Sequence, residues 1–382
     1  MPSYALRVIR KQPMRSAMTI GGISLSILLI LFLFSIYRGV SRGSIEYIAG
    51  TKADLWVLQT HSTNILRSMS IMPESYTHPV RKVPGVRQIS RMLFLLATIS
   101  HEQRMIDHMR DSNSVSVYLA GYDRKTGLGA PSKMVEGRLP ATDGEIVLDE
   151  ALARRLKFQI GEYAQINDSL FRVVGICSGT NMFVIQYAFT SLTSVQALTA
   201  VPGLISAMII QTDPSARIDS VKAGISTALP GEVAVFDQAT FLANNRKEMN
   251  SGIVPLLYTN AIIGAVVLIA VLTLILVIMI LERRRDLAVM KALGAPPGYL
   301  GRIVFQLAIT IASLSCVVAL ALILPLLTAI NTVSPEITGE LWPSDAVFTC
   351  LVALAMGSVS AFIAVRRLRT IYPLEVFTAS NH

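Results

Sequence analysis

The chain has 382 residues, 52% of them hydrophobic and only 15% charged, with a mean hydropathy of +0.54. That balance excludes an ordinary soluble globular protein and implies several membrane spans plus a sizeable soluble part. The formal net charge of +9 is carried entirely by the two termini and one central stretch, which excludes a nucleic-acid binder with a basic face on a folded domain.

In chain order, residues 1–17 form a basic N-terminus. Tyr4, Ala5, Val8 and Ile9 alternate with Arg7, Arg10 and Lys11, the pattern of an amphipathic helix on the inner membrane face. Residues 18–40 read as the first span, charge-free from Met18 to Tyr37 and close to the roughly 20 apolar residues a bilayer requires. A secretory signal is the competing reading. The apolar run is long for one, and RGVSRGS follows it rather than a small-residue cleavage site, so an uncleaved anchor is expected.

Residues 41–237 read as a large α/β extracytoplasmic domain. ADLWVLQ (53–59), PGVRQISRMLFLLATIS (84–100), VYLAGYD (117–123), ISAMIIQTD (205–213) and EVAVFD (232–237) have strand character. PESYTHPVRKV (73–83) suits a short helix. A second helix is expected over 213–229, with Asp213 as its cap and Pro214 in its first turn. Two strand–helix–strand units, about 53–100 and 205–237, therefore flank a β-rich middle segment at about 115–203. Cys177 is the lone cysteine of this region, and Cys316 and Cys350 lie in apolar runs, so buried inert thiols are expected rather than a disulfide framework.

Residues 238–281 read as a polar stalk helix leading into a second span, interrupted only by Pro255. Tyr258 to Leu281 contains fifteen Ile, Leu and Val residues and no charge. After the charged stretch 282–302 come a third span at 303–330 containing Pro325, an outer loop at 331–345, a fourth span at 346–365 and a tail at 366–382. The outer loop carries Glu336, Glu340 and Asp345 but no Lys or Arg, while Tyr37 and Trp342 fall at interfacial depth. Every basic cluster then lies on one side, predicting four spans with both termini cytoplasmic.

Familiar chemical motifs are missing. Gly-Lys never occurs, so no phosphate-binding loop of the Walker type is present and ATP would have to be used by another polypeptide. HEQRMIDHMRD (101–111) fails the zinc-protease pattern because Met105 stands where the second histidine belongs, and a solvated polar loop is the better reading. Scattered Met69, Met72 and Met109 lack the dense cluster a copper(I) site needs. The span interiors hold no ionisable residue, which argues against an ion-coupled carrier.

The sharpest signal is the stretch 282–302, ERRRDLAVMKALGAPPGYLGR. Residues 282–293 suit a helix of roughly 18 Å, stopped by Gly294 and Pro296–Pro297. Positive charge alone would orient a loop. Here acidic residues bracket three arginines, and Leu287, Val289, Met290 and Leu293 supply an apolar face. The order Glu282, Arg283, Arg284, Arg285, Asp286, Leu287, Ala288, then Lys291, Ala292, Leu293, Gly294, Ala295 resembles the cytoplasmic loop of MacB/FtsX-type permeases, the mechanotransmission (type VII) class of ABC transporters. Asp286 replaces that family's more usual Glu. The N-terminal ALRVIRKQPMRSAMTIGGISLSI, the central VEGRLPATDGEIVLDEALARRLKFQIGE with FRVVGI, and the terminal RRLRTIYPLEVF resemble the same family in the same order.

The resemblance implies a four-helix membrane protein whose extracytoplasmic α/β domain has a porter-like lobe with an inserted β-rich lobe. It further implies a place in the bacterial cytoplasmic (inner) membrane, a separate ABC ATPase subunit that binds ATP and Mg, and a second permease chain, identical or a sister. A periplasmic adaptor is an optional further partner. No catalytic, cofactor or metal site is expected in this chain. Glu282, Arg283, Arg284, Arg285, Asp286, Leu287, Lys291, Leu293 and Gly294 are the expected contacts with the ATPase. Export of an amphipathic drug, peptide, lipid or lipoprotein is the leading function. An FtsX-like module controlling an extracytoplasmic cell-wall hydrolase is the alternative, disfavoured by the large outer domain, and a receptor with no energy source is a third.

Overall fold

A computed structural model describes residues 13–65, 70–101, 114–181, 185–199, 202–282, 297–334 and 339–368. The chain divides into two compact units. One comprises Met1–Arg38, Pro255–Ala329 and Gly339–His382; the other comprises Gly39–Val254 and Ile330–Thr338.

The first unit is helical. It takes the N-terminal part of α1 (Pro13–Gly50), and among the described residues four helices are long and apolar enough to cross a membrane. Ile20, Ile23, Ile27 and Leu31 make a buried stripe along α1 at three- and four-residue spacing. Much of the remaining core is small: Ala308, Ala312, Ala319, Ala353, Ala361 and Ala364 are buried. Small residues let helix backbones approach where lipid offers no hydrophobic drive for association. Polar side chains add to the packing, since the Ser315 hydroxyl donates to the Ile20 carbonyl and the Ser360 hydroxyl to that of Ile269, each at 3.3 Å.

The second unit is built on a ten-stranded mixed sheet. Its strands are β1 (Leu55–Gln59), β3 (Val86–His101), β4 (Val115–Tyr122), β5 (Lys133–Gly137), β6 (Glu145–Asp149), β7 (Tyr163–Ile166), β8 (Ser169–Ser178), β9 (Gln186–Ser191), β11 (Ala207–Thr212) and β12 (Val233–Asp237). They run in the order β12-β1-β11-β3-β4-β9-β6-β8-β5, with β7 pairing β3 and β8. A two-stranded ribbon joins β2 (Met72–Pro73) to β10 (Leu204–Ile205). The β-rich middle segment therefore has no separate sheet. The 16-residue β3 pairs β11 through its first half, then β4, then β7 at its end, so one strand belongs to both lobes.

Strand β1 shows why its sequence is apolar throughout. Leu55 and Val57 point into one core and Trp56 and Leu58 into another, so both sheet faces are covered. The first face carries the short helices α2 (Thr77–Arg81), α3 (Glu150–Leu156), α4 (Leu192–Thr199) and α5 (Ile218–Ala228). Helix α5 begins later than expected. Asp213 donates its backbone N–H to the Gly85 carbonyl and accepts from Ala216 N–H, each at 2.9 Å, so it closes a turn against the sheet. The helix starts only after Arg217, which makes no side-chain cap.

The family-like stretch 136–150 is held by internal polar bonds. Arg138 grips Glu145 with two nitrogens at 2.7 and 2.5 Å, and the Ala141 and Thr142 N–H groups donate to the same carboxylate. Gly137 sits at φ +77°, and a Cβ there would lie 2.3 Å from the Val174 carbonyl oxygen. Asp149 caps α3 through Ala151 N–H and accepts the Thr180 hydroxyl at 2.6 Å. Its burial pushes its pKa up.

Glu145 is 8% exposed. The Arg138 guanidinium holds its carboxyl down to about 2 from an ordinary 4.5, against the opposing effect of burial and with help from the two N–H donors. A carboxylate whose folded pKa is depressed stabilises the fold fully above its unfolded value, and that contribution fades as pH falls toward the folded one. The outer unit is therefore expected to lose stability between about pH 4.5 and 2. Thermal unfolding of the full chain in detergent should show Glu145→Gln less stable than native at pH 7, with the gap closing as pH drops through that window. A gap that stays constant with pH would remove Glu145 from this role.

The remaining long helices are α6 (Gln238–Glu282), α7 (Pro297–Val333) and α8 (Pro343–Leu368). Helix α6 runs unbroken through Pro255 and α7 through Pro325. In each case a threonine hydroxyl, Thr259 or Thr328, donates to the proline carbonyl at 2.9 Å. Glu282 is the last residue of α6. Arg283, Arg284, Arg285, Asp286, Leu287, Lys291, Leu293 and Gly294 lie outside the described residues, as does most of the basic N-terminus.

Candidate functional site

Helices α1, α6 and α7 contribute residues to both units, and the outer portions of α1 and α6 are fixed to the second face of the sheet. The parts of this joint come from four distant places in the sequence. Asp237 caps α6, accepting the Thr240 N–H and hydroxyl at 2.8 Å each. The Thr240 N–H is the largest cause holding the Asp237 carboxyl below its usual range. A negative side chain here also meets the positive end of the helix dipole.

Gln238, the next residue, connects three elements. Its amide nitrogen donates at 2.6 Å to the Ile48 carbonyl in the last turn of α1, which also accepts the Thr51 N–H at 3.2 Å. Its side-chain oxygen accepts the Trp56 indole N–H at 2.7 Å, and its backbone N–H donates to the Asp54 carbonyl. Trp56 is fully buried and stacks on Phe241, with centroids 4.6 Å apart and planes at 22°. One turn further along α6, buried Asn245 accepts the Ile65 N–H at 3.1 Å and donates to the Phe241 carbonyl at 2.8 Å. These bonds leave the two amide side chains, Asn245 buried and Gln238 half-buried, oriented by fixed partners, and a satisfied polar network of this kind confers rigidity.

Helix α1 is seated with equal specificity. Tyr47 is buried, packs on Tyr187 and Phe189 at 4.8 and 5.3 Å, and donates its hydroxyl to the Gly129 carbonyl at 2.8 Å. Gly43 lies against the Asn181 carbonyl so closely that a Cβ would stand 2.1 Å from its oxygen, and Gly50 is packed in the same way on Ser132. Glu46 accepts from Lys133 Nζ at 2.6 Å. Only glycine permits the backbone approach at residue 43, because the obstacle is another main chain rather than a movable side-chain tip.

The site is a grip: both long helices are anchored to adjacent parts of one sheet by stacked rings, hydrogen bonds and one ion pair. Displacement of either helix at this site has to move the sheet with it, since a packed core is not continuously deformable. Of the residues expected from sequence to carry function, only Glu282 falls in a described element, and its side chain is not described. Gln238, Asn245, Trp56, Tyr47 and Gly43 were not anticipated. The usable signal was the placement of Gln238 three residues before and Asn245 four residues after the aromatic Phe241, at the start of an otherwise polar stalk.

Inside the first unit, Arg38 of α1 and the first turn of α8 make a second polar contact. Arg38 Nε and Nη2 donate to the two carboxylate oxygens of Asp345, each at 2.8 Å, and the guanidinium lies 5.1 Å over the Trp342 ring.

Comparison with known proteins adds the following. The family model of a MacB-like periplasmic core domain matches residues 16–228, and that of an FtsX-like permease C-terminal domain matches residues 259–373. No curated protein matches the chain. The crystal structure of the periplasmic region of MacB from Actinobacillus actinomycetemcomitans is similar over 50% of this chain and 92% of its own length, with 13% identity and a TM-score of 0.40. The extracellular domain of the noncanonic ABC-type transporter YknZ from Gram-positive bacteria is similar over 48% and 99%, with 12% identity and a TM-score of 0.37.

Proposed function

Because the chain belongs to the MacB/FtsX-type family of ABC-transporter permeases, membrane proteins that work with an ATPase, we propose that it is the permease of an exporter driven by a separate ATPase subunit. ATP binding and hydrolysis in that subunit shift the membrane helices, and the shift reaches the extracytoplasmic domain as a mechanical displacement. The displacement expels an amphipathic substrate, a drug, peptide, lipid or lipoprotein, on the outer side. The observation that carries this reading is the build of α1 and α6: each is one continuous helix with apolar span residues in its membrane portion and a polar–aromatic grip on the outer sheet. Such a helix is suited to transmitting displacement rather than to lining a path for solute.

On this reading Arg283, Arg284 and Arg285 make charge-assisted bonds to acidic groups on the ATPase, with Glu282 and Asp286 setting their register. Leu287 and Leu293 supply the apolar contact, Lys291 a further cation, and Gly294 ends the helix. Two permease chains, identical or sister, pair with two ATPase chains, and both termini and the 282–302 stretch are cytoplasmic. Driving a two-state change from 1:99 to 99:1 takes about 5.5 kcal/mol of differential binding, so the docking has to be tight.

Affinity purification from membranes in mild detergent tests this. The native chain is expected to bring down an ATPase, and Arg284→Glu/Arg285→Glu, which reverses two charges, is expected to lose it. Co-purification of a cell-wall hydrolase with the native complex would instead favour a signalling role. Absence of any ATPase would remove the energy source and with it the exporter reading.

A further inference from the structure

The boundary between the two units crosses α7 near its end, at Ala329/Ile330, and crosses the two gripped helices at Arg38/Gly39 in α1 and at Val254/Pro255 in α6. Both helices are intrinsically weak at that point. Gly39 places a residue with no side-chain restraint in the middle of α1, and Pro255 removes one backbone hydrogen bond from α6. Polar contacts that bear on either point control how easily it bends.

Beside the first of these points stands the most elaborate polar contact among the described residues of the membrane unit. Arg38 makes its paired bonds to Asp345, which sits in the first turn of α8. The Asp345 and Ala346 N–H groups both bond the Trp342 carbonyl, the Thr349 hydroxyl bonds the Asp345 carbonyl, and the Trp342 indole donates to Glu340 at 3.2 Å. The Glu340 N–H donates in turn to the Ser35 carbonyl at 3.1 Å. One turn away on each helix, Phe34 and Phe348 meet edge to face at 6.1 Å. Gly339 is packed so that a Cβ would lie 2.6 Å from Leu327. The segment entering α8 is thus fastened to α1 at the residue where α1 passes from one unit to the other.

We propose that the Arg38–Asp345 pair is a latch on the bend point of α1, closed in this structure and opened in each working stroke. It sets how readily motion of the spans passes to the outer unit. The proposal rests on the exporter reading for the stroke itself. The chemistry fits a contact that opens and recloses. A pair with both charges sealed in a core cannot open without stranding a charge. Here the Asp345 side chain is 11% exposed and the Arg38 side chain 39%. Once separated, Asp345 keeps the favourable N-terminal end of α8, and Arg38 can extend its head to water along its apolar stem. Each charge has somewhere to go.

The test uses the full chain with its partner ATPase in lipid nanodiscs. Native protein is compared with Arg38→Gln, with Asp345→Asn, and with the swapped pair Arg38→Asp/Asp345→Arg. Hydrogen exchange of the amides at 343–349, without nucleotide, should quicken about tenfold in both neutral variants, the scale for losing a hydrogen-bonded charge pair. The swapped pair should recover most of the protection, and exchange in the outer sheet should stay native in all three. ATP turnover should rise in the neutral variants and return toward native in the swap. Unchanged exchange, or a rise that the swap leaves uncorrected, overturns the latch. Faster exchange with unaltered turnover also overturns it, because the pair would then be a static fastening. If the native chain brings down no ATPase, the exporter reading fails instead, and exchange alone decides whether the two helices are latched.

Discussion

Trp56→Ala is expected to destabilise the outer unit by about 3–5 kcal/mol, the range for deleting a large buried aromatic. The indole is fully buried, stacks on Phe241 from α6 and sits in β1 opposite Phe236 of β12. Removing it opens a cavity where helix meets sheet and strips the Gln238 oxygen of its donor. A domain's whole stability is only about 5–15 kcal/mol, so the loss is a large share of it. Trp56→Phe separates the two contributions. It keeps a ring for Phe241 and loses the indole N–H, so its deficit should be about 1–3 kcal/mol, the cost of an unsatisfied buried group. Chemical denaturation followed by exchange of the sheet amides reads both variants. A Trp56→Ala deficit under about 1 kcal/mol would show that the joint does not depend on this residue.

The second large effect concerns transmission rather than stability. Asn250→Gly/Ser251→Gly/Ile253→Gly, together with the native Gly252, gives four glycines in a row just before Pro255. Helix propensity there falls by about 1–1.5 kcal/mol, and α6 acquires a swivel between its span and its grip on the sheet while its length is unchanged. ATP turnover by the assembled complex should persist, and the response of the outer domain to ATP should largely disappear. Asn250→Ala/Ser251→Ala, which strengthens the helix at the same place, should keep that response. If the glycine variant responded like native protein, α6 would not be the transmitting element.

Much of this organisation was legible in the sequence because it rests on local periodicity. The apolar runs became long helices, and LWVLQ, alternating nothing because both its faces are buried, became an interior strand of the sheet. The helix after residue 213 was misplaced because Asp213–Pro214 has the chemistry of a helix start. Its backbone is instead tied to Gly85, more than a hundred residues earlier, and no local pattern reveals such a bond. The joint was invisible for the same reason. Gln238, Ile48, Trp56 and Asn245 acquire meaning only when α6 folds back on the end of α1. Arg38 and Asp345 read simply as charges flanking apolar runs, and their pairing across more than three hundred residues is a tertiary fact. The charged stretch from Glu282 to Gly294 is the converse case. Its meaning is wholly in the order of its residues, and its proposed role awaits the partner it would dock on.

Motion of the outer domain relative to the membrane helices is expected when a partner subunit uses ATP. It is tested most directly by the distance between spin labels at Ser220→Cys, exposed on α5, and Ile262→Cys, exposed on α6. Cys177, Cys316 and Cys350 are first replaced, and the complex is held in nanodiscs without nucleotide or with ATP trapped. The account predicts a distance distribution that shifts on trapping ATP, and no shift when the same labels are placed in Arg284→Glu/Arg285→Glu. A native complex that hydrolyses ATP yet gives one unchanged distribution in both states would contradict it.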